Sequence, residues 1–400
     1  MNKPSERIPV TPAVLTWARE SISLDPEAAA KRLGVSPKTL IAWEAGELSP
    51  TINQLRVAAE KYKRPLGVLL LSTPPLDFDA MRDFRRHGLA QAPWSPDLHG
   101  EFRRALDQRE VFLELAETTP DSVPATVRPP RVVQQLDPET VGTRLRDYVA
   151  LTTTVQSRWR DQYQALNFLI DNLESKGILV IHVKGVSVDE MRAFSISEWP
   201  YPVIALNGAD YPRGRLFSLM HELTHLALND VGLCDLHENR RRRREHASSD
   251  NTLEHFCNQV AAAALMPKNE VLALQKVHRA ESSYNWSLDD LEPLAGRFGV
   301  SQEAFLLRLV SLRKATWDTY WQRHAELQQQ YEAAALTRRE QRRAKKGGPD
   351  FYRTKARDIG HGYANAVLDA FGSKSLSARD VSDFLDIKFG QLERLQAELR

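Results

Sequence analysis

The strongest chemical signal in the chain is the run His221-Glu222-Leu223-Thr224-His225. On an α-helix, positions i and i+4 lie one above the other, so both imidazoles can face a single ion, with Zn–N bonds of about 2.0–2.1 Å. The glutamate at i+1 lies about 100° further around the helix. There it can take a proton from metal-activated water and later give it to a leaving amine. Leu216, Phe217, Met220, Leu223, Thr224 and Leu228 supply a core-facing set for such a helix. Two histidines are too few, so a third ligand is required. The H-x-x-G-x-x-H extension is absent, because Leu228 and Val231 stand where its glycine and histidine would be. Glu254, in the first turn of an apolar helix, is the leading candidate, with Asp230, Asp235, His237, His246 and His255 as alternatives. Tyr201, Tyr211, His246 and His255 could steady an oxyanion, and no spacing selects among them.

The elements that must position these residues follow from periodicity and punctuation. Ile178–Val183 and Pro202–Asn207 are short β-branched apolar runs and read as strands. Arg215–Asp230 and Thr252–Met266 read as helices, separated by a loop with the arginine run Arg240–Arg244. The strand Val203, Ile204, Ala205, Leu206, Asn207 is expected beside the metal helix, where it would hold substrate backbone as an added strand. Trp159–Lys176 is amphipathic and Gly177 ends it. Leu288–Arg313 reads as a helical pair and Ala315–Lys346 as one long charged helix ending at Gly347-Gly348-Pro349. In the last fifty residues Ser377 and Asp380 form a capping pattern ahead of a helix.

The N-terminal region has its own punctuation. Asp25-Pro26 opens one helix and Gly34 stops it; Ser36-Pro37 opens the next, which ends near Gly46; Pro50-Thr51 opens a third. Two helices joined by a short glycine turn are the helix-turn-helix signature. The second helix of the motif would offer Ser36, Lys38, Thr39 and Ala42 to DNA. Only Lys38 is basic, and no Arg, Asn or Gln is placed for bidentate base reading.

Composition sets the outer bounds. Four hundred residues imply two to four domains. The formal charge of +2 excludes a global basic field, so any nucleic-acid contact must come from a local patch. The two cysteines, Cys234 and Cys257, make no CxxC pair and exclude a disulfide framework, which points to a reducing cytoplasm. No apolar run approaches the ~20 residues of a membrane span, so no membrane contact is expected.

Two resemblances sharpen this reading. PVIALNGADYPRGRLFSLMHELTHLAL, then GLCD, then LEHFCNQVAAAALMP at Leu253–Pro267, resembles the ImmA/IrrE family of zinc metallopeptidases. Asn258, Ala261, Leu265, Met266 and Pro267 match, and Val260 departs where phenylalanine is commoner. That resemblance implies Glu254 as third ligand to one Zn2+ per chain, with His221 and His225, and Glu222 as general base. AAAKRLGVSPKTLIAWEAGELSPTINQLRVAAEKY resembles the Xre-type helix-turn-helix, with Trp43, Glu44, Gly46 and Pro50 the informative matches. The expected fold is mainly α, α+β: a helical Xre-like domain, a zincin-like peptidase domain with a small sheet, and a helical C-terminal region. Expected boundaries are 1–72 for the helix-turn-helix, 73–138 for a helical and Pro-rich linker, with Glu101–Glu117 helix-like, and 139–313 for the peptidase domain with its C-terminal helical pair. A long helix over 314–346 and a small helical domain over 347–400 complete the set. The function implied is a regulatory endopeptidase that cuts a partner repressor or antitoxin to control transcription, with a toxin as a further partner and an oligomer as a possible state. The alternative is a non-catalytic antitoxin or regulator whose peptidase-like domain serves partner binding.

Overall fold

A computed structural model describes residues 7–75, 94–228, 249–344 and 350–399. The chain divides into two units, one formed by Met1–Leu106 with Lys184–Glu190, the other by Asp107–Val183 with Met191–Arg400.

In the first unit α1 (Pro12–Glu20) comes first, and α2 (Pro26–Leu33), α3 (Pro37–Glu44) and α4 (Ile52–Lys61) start where the sequence signals place them. Asp25, Ser36 and Thr51 each accept a backbone N–H at a helix start, and Gly34 ends α2 at φ +68°. Leu15, Leu40, Trp43, Leu55 and Tyr62 form the core between them. Glu44, at the end of α3, takes a two-pronged hydrogen bond from the Arg19 guanidinium of α1 at 2.8 and 3.0 Å. The unit boundary falls within the next helix, α5 (Pro96–Thr118). Residues 119–137 carry only a short 3-10 turn, Pro120–Ser122, as their prolines dictate.

The second unit is built on a three-stranded sheet of β1 (Leu179–Val183), β2 (Ala193–Ile196) and β3 (Val203–Asn207), in the order β1-β3-β2. β1 runs parallel to β3 and β2 runs antiparallel to it; Ile204 faces Val180 on one side and Ser195 on the other. This corrects the expected role of Val203, Ile204, Ala205, Leu206 and Asn207. They form the central, buried strand, with both backbone edges already paired inside the sheet, so they cannot receive an added strand. β2 had no signal strong enough to mark it, being four residues long.

The metal-motif helix, α8 (Pro212–Leu228), packs on this sheet through Leu216, Leu219, Met220 and Leu223 against a core that includes Val180, Ile204 and Leu206. α6 (Pro138–Tyr148) crosses α9 (Ser249–Leu265) so closely that a Cβ on Gly142 would stand 2.8 Å from the Ala264 nitrogen. The C-terminal carbonyls of α9 are held by buried side chains. Arg146 donates to Ala264 O at 2.7 Å, Gln156 to Leu265 O at 2.7 Å and Arg308 to Met266 O at 2.9 Å. Those groups fix the helix at its negative end.

α7 (Gln162–Glu174), the pair α10 (Leu288–Arg297) and α11 (Gln302–Ser311), and the long α12 (Trp317–Ala344) follow the expected pattern. α13 (Phe351–Ile359), α14 (His361–Gly372), α15 (Ala378–Leu385) and α16 (Leu392–Leu399) complete the unit. Ser377 and Asp380 form the reciprocal cap that their spacing implies. The C-terminal helices lie against β1: the carbonyl of Arg357 meets His182 Nδ1 at 3.1 Å. At Gly360, φ is +85° and an added Cβ would come within 2.5 Å of the Val180 oxygen, which leaves room for glycine alone. Among the described residues, no helix is long and apolar enough to cross a membrane.

Candidate metal centre

His221 and His225 project from one face of α8, and Glu254 comes from the first half of α9. The His221 and His225 Nε2 atoms lie 3.1 Å apart. Glu254 Oε2 is 3.2 Å from His221 Nε2, and its Oε1 is 3.5 Å from His225 Nε2. These are close to the edges of a tetrahedron with 2.0–2.1 Å bonds to its centre, which are roughly 3.3 Å. Two imidazole lone pairs facing each other and a carboxylate repel unless a proton or a cation lies among them. The donor set therefore fits a divalent ion of tetrahedral preference. Among the described residues this is the cluster of three ligating groups that could hold a metal.

The surroundings fix the ligand atoms. His221 Nδ1 lies 3.0 Å from the Asn258 Oδ1, one turn beyond Glu254 on α9. The amide oxygen only accepts, so Nδ1 carries the hydrogen and Nε2 is left as the lone-pair donor. Burial and the neighbouring His221 push the His225 imidazole well below its ordinary range and keep it neutral, the form that ligates. Burial alone would lower His221 too, yet the Glu254 and Glu222 carboxylates and Asn258 raise it overall.

Glu222 is fully buried beside the cluster. The hydroxyl of Ser195, on β2, donates to its Oε2 at 2.8 Å, while Oε1 has no hydrogen-bond partner. Burial pushes its carboxyl up to about 7, against the pull of His221 and Ser195. An orphaned buried oxygen costs stability, and such groups concentrate where chemistry needs them.

The sequence alone missed Ser195, because a serine in a four-residue strand carries no signal by itself. Asn258 was visible through the family resemblance, but its contact with His221 was not. Of the alternative ligands, His255 is exposed on α9 while its neighbour Glu254 turns to the histidines. Asp230, Asp235, His237, His246 and the run Arg240–Arg244 lie outside the described residues. Tyr201 packs its ring edge-on to Phe112 with centroids 5.0 Å apart, and Tyr211 lies 6.1 Å from Tyr331.

In the first unit the proposed DNA-facing residues have mixed positions. Ser36 is the N-cap of α3; its Oγ accepts Thr39 N–H at 3.1 Å and meets Thr39 Oγ1 at 2.8 Å. Both hydroxyls thus serve the helix start. Lys38 is exposed, Ala42 is half-buried, and Ile41 between them is 54% exposed.

Two segments of the chain match known family models. Residues 173–310 match the peptidase family model described as IrrE N-terminal-like domain. Residues 15–69 match the model described as Helix-turn-helix. The chain thus joins a segment similar to the helix-turn-helix model to a segment similar to the IrrE-like peptidase model. No curated protein matches the chain.

Proposed function

We propose that this protein is a regulatory, zinc-dependent endopeptidase that cuts a partner repressor or antitoxin-like regulator, with DNA contacts supplied by its helix-turn-helix unit. The observation that carries this reading is the convergence of His221, His225 and Glu254 at tetrahedral spacing beside the buried, half-satisfied carboxyl of Glu222. A zinc ion held by those three side chains would polarise a scissile carbonyl and lower the pKa of water toward ~7.

The chain's own residues divide the remaining tasks. Ser195 holds Oε2 of Glu222, which leaves Oε1 to accept a proton from attacking water and return it to the leaving amine. Burial keeps that carboxyl near neutrality in proton affinity, where it can both take and give a proton. Asn258 fixes the His221 tautomer. The wall of the site beside Glu222 is β2, not β3.

The test uses the full chain and a co-expressed candidate regulator. Metal analysis should give about one zinc per chain, and His221→Ala should lose it. Glu222→Gln should keep zinc and lose cleavage; normal cleavage by that variant rejects the assignment. A non-catalytic reading, with the same unit serving only to bind a toxin or regulator, draws on burial, since His221, Glu222 and His225 are at most 1% exposed. It gains support if Glu222→Gln still controls its promoter in cells as the native chain does.

A further inference from the structure

Beyond the metal cluster, a cavity of about 180 Å³ is lined by Arg128, Pro129, Arg131, Trp199, Leu226 and Ala227. Its position follows from helix and chain geometry. Glu222 and Leu226 are four residues apart, so they share one face of α8. Glu222 meets Ser195; Leu226 lines the cavity with Trp199, four residues beyond Ser195 in the chain. The cavity therefore continues the same face of the metal helix by one turn, about 5–6 Å.

Its chemistry is one-sided. Arg128 and Arg131 are both exposed at the rim, and no described carboxylate pairs with either. Glu198, next to Trp199, is turned to Arg109 at 3.1 Å. Arg128 lies over the Trp199 ring at 5.2 Å, so its guanidinium is held against a flat apolar surface with its edge left for hydrogen bonding. Pro129, Leu226 and Ala227 are buried and make an apolar floor. A ligand that satisfies this lining has a short apolar stem and an anionic, planar head.

We propose that this cavity is a substrate subsite that takes an acidic side chain, glutamate or aspartate, of the bound polypeptide one helical turn from the scissile position. The assignment rests on the endopeptidase reading above, and it makes the protein selective for regulators with an acid at a fixed distance from the cut. The carboxylate is gripped by Arg128 and Arg131, and its methylene stem lies on Trp199 and Pro129.

Two measurements on the full-length, zinc-loaded chain test it. In the first, a peptide library made from a whole proteome is digested and the cleaved bonds are read by mass spectrometry. The native chain should show acidic residues enriched several-fold at one position relative to the cut. In the double variant R128A/R131A the acidic-to-neutral ratio at that position should fall by the same several-fold, back to the value of the undigested library. The ratio is internal to one sample, so a folding defect, which lowers both classes together, does not imitate it. An unchanged ratio, or no acidic enrichment among the bonds that the native chain does cut, overturns the subsite. In the second, fluorescence anisotropy compares a labelled decapeptide carrying four glutamates, its glutamine counterpart and a labelled DNA duplex. Preference for the glutamate peptide that R128A/R131A abolishes supports the cavity even if no bond is cut, in which case only the peptidase reading fails. Loss of duplex affinity with unchanged peptide affinity assigns the two arginines to nucleic acid and overturns the proposal.

Discussion

Arg19 and Glu44 in the first unit and Glu222 and Glu254 in the second are charged groups largely withdrawn from water, and they are treated differently. The Arg19–Glu44 pair is closed: two hydrogen bonds join the ions, and a third runs from Arg19 to the Leu24 carbonyl at 2.8 Å. Around Glu222 and Glu254, two acids and two imidazoles crowd together, and Glu222 Oε1 and His225 Nδ1 lack partners. The first arrangement is what a fold needs to tolerate buried charge. The second costs stability unless a cation and a substrate complete it, which is the physical mark of a site rather than of a scaffold.

That contrast can be broken by exchange of charges. Glu222→Gln should reduce cleavage by ~10²–10⁴-fold, while thermal unfolding shows stability unchanged or raised, because an orphaned carboxyl is removed. A large drop in stability instead would make Glu222 a scaffold residue. Glu44→Ala should do the reverse. It leaves the buried guanidinium with only the exposed Glu20 carboxylate at 3.4 Å and the Leu24 carbonyl, and should cost roughly 3 kcal/mol, read as faster amide exchange over residues 12–61.

A third acid, the half-buried Glu174, sharpens the comparison. Burial pushes the Glu174 carboxyl up to about 8, against the backbone N–H groups of Gly362 and Val180, with Asp171 adding to the rise. Its folded value lies above the ordinary 4.5, so the folded state holds the proton more tightly. The stabilisation is complete below about 4.5 and is lost as pH rises through about 8. Denaturant titrations of the native chain should lose on the order of a few kcal/mol across that window, and Glu174→Gln should flatten the loss. Equal slopes in the two proteins would contradict the burial of this group. The smallest effect is expected from Asn258→Ala, which should weaken zinc affinity by ~10–100-fold through the freed His221 ring. A competitive chelator titration measures it, and unchanged affinity would leave Asn258 a packing residue.

The legibility of these regions in the sequence differs for the same physical reason. The helices of the first unit are announced by Asp25-Pro26, Ser36-Pro37 and Pro50-Thr51, and their caps involve residues three apart in the chain. The pairing of His221 with His225 is likewise local, since four residues make about one helical turn. Glu254 led several alternatives on its place in an apolar helix, and the family resemblance singled it out. Strand β2 was not seen, and β3 was assigned an exposed edge that it does not have. Short buried strands lack the alternation that reveals a half-exposed one.

By itself, then, the sequence determined helix starts and stops and the paired imidazoles, because each is encoded within a few residues of chain. Only the tertiary structure brought Glu254 within reach of both imidazoles and decided that Ser195 holds Glu222 and that β3 is central. The position of Glu254 depends on the crossing of α6 and α9 at Gly142 and on Arg146, Gln156 and Arg308 holding the end of α9. Contacts between residues more than a hundred positions apart, such as Arg146 with Ala264, leave no periodic trace in the chain that makes them.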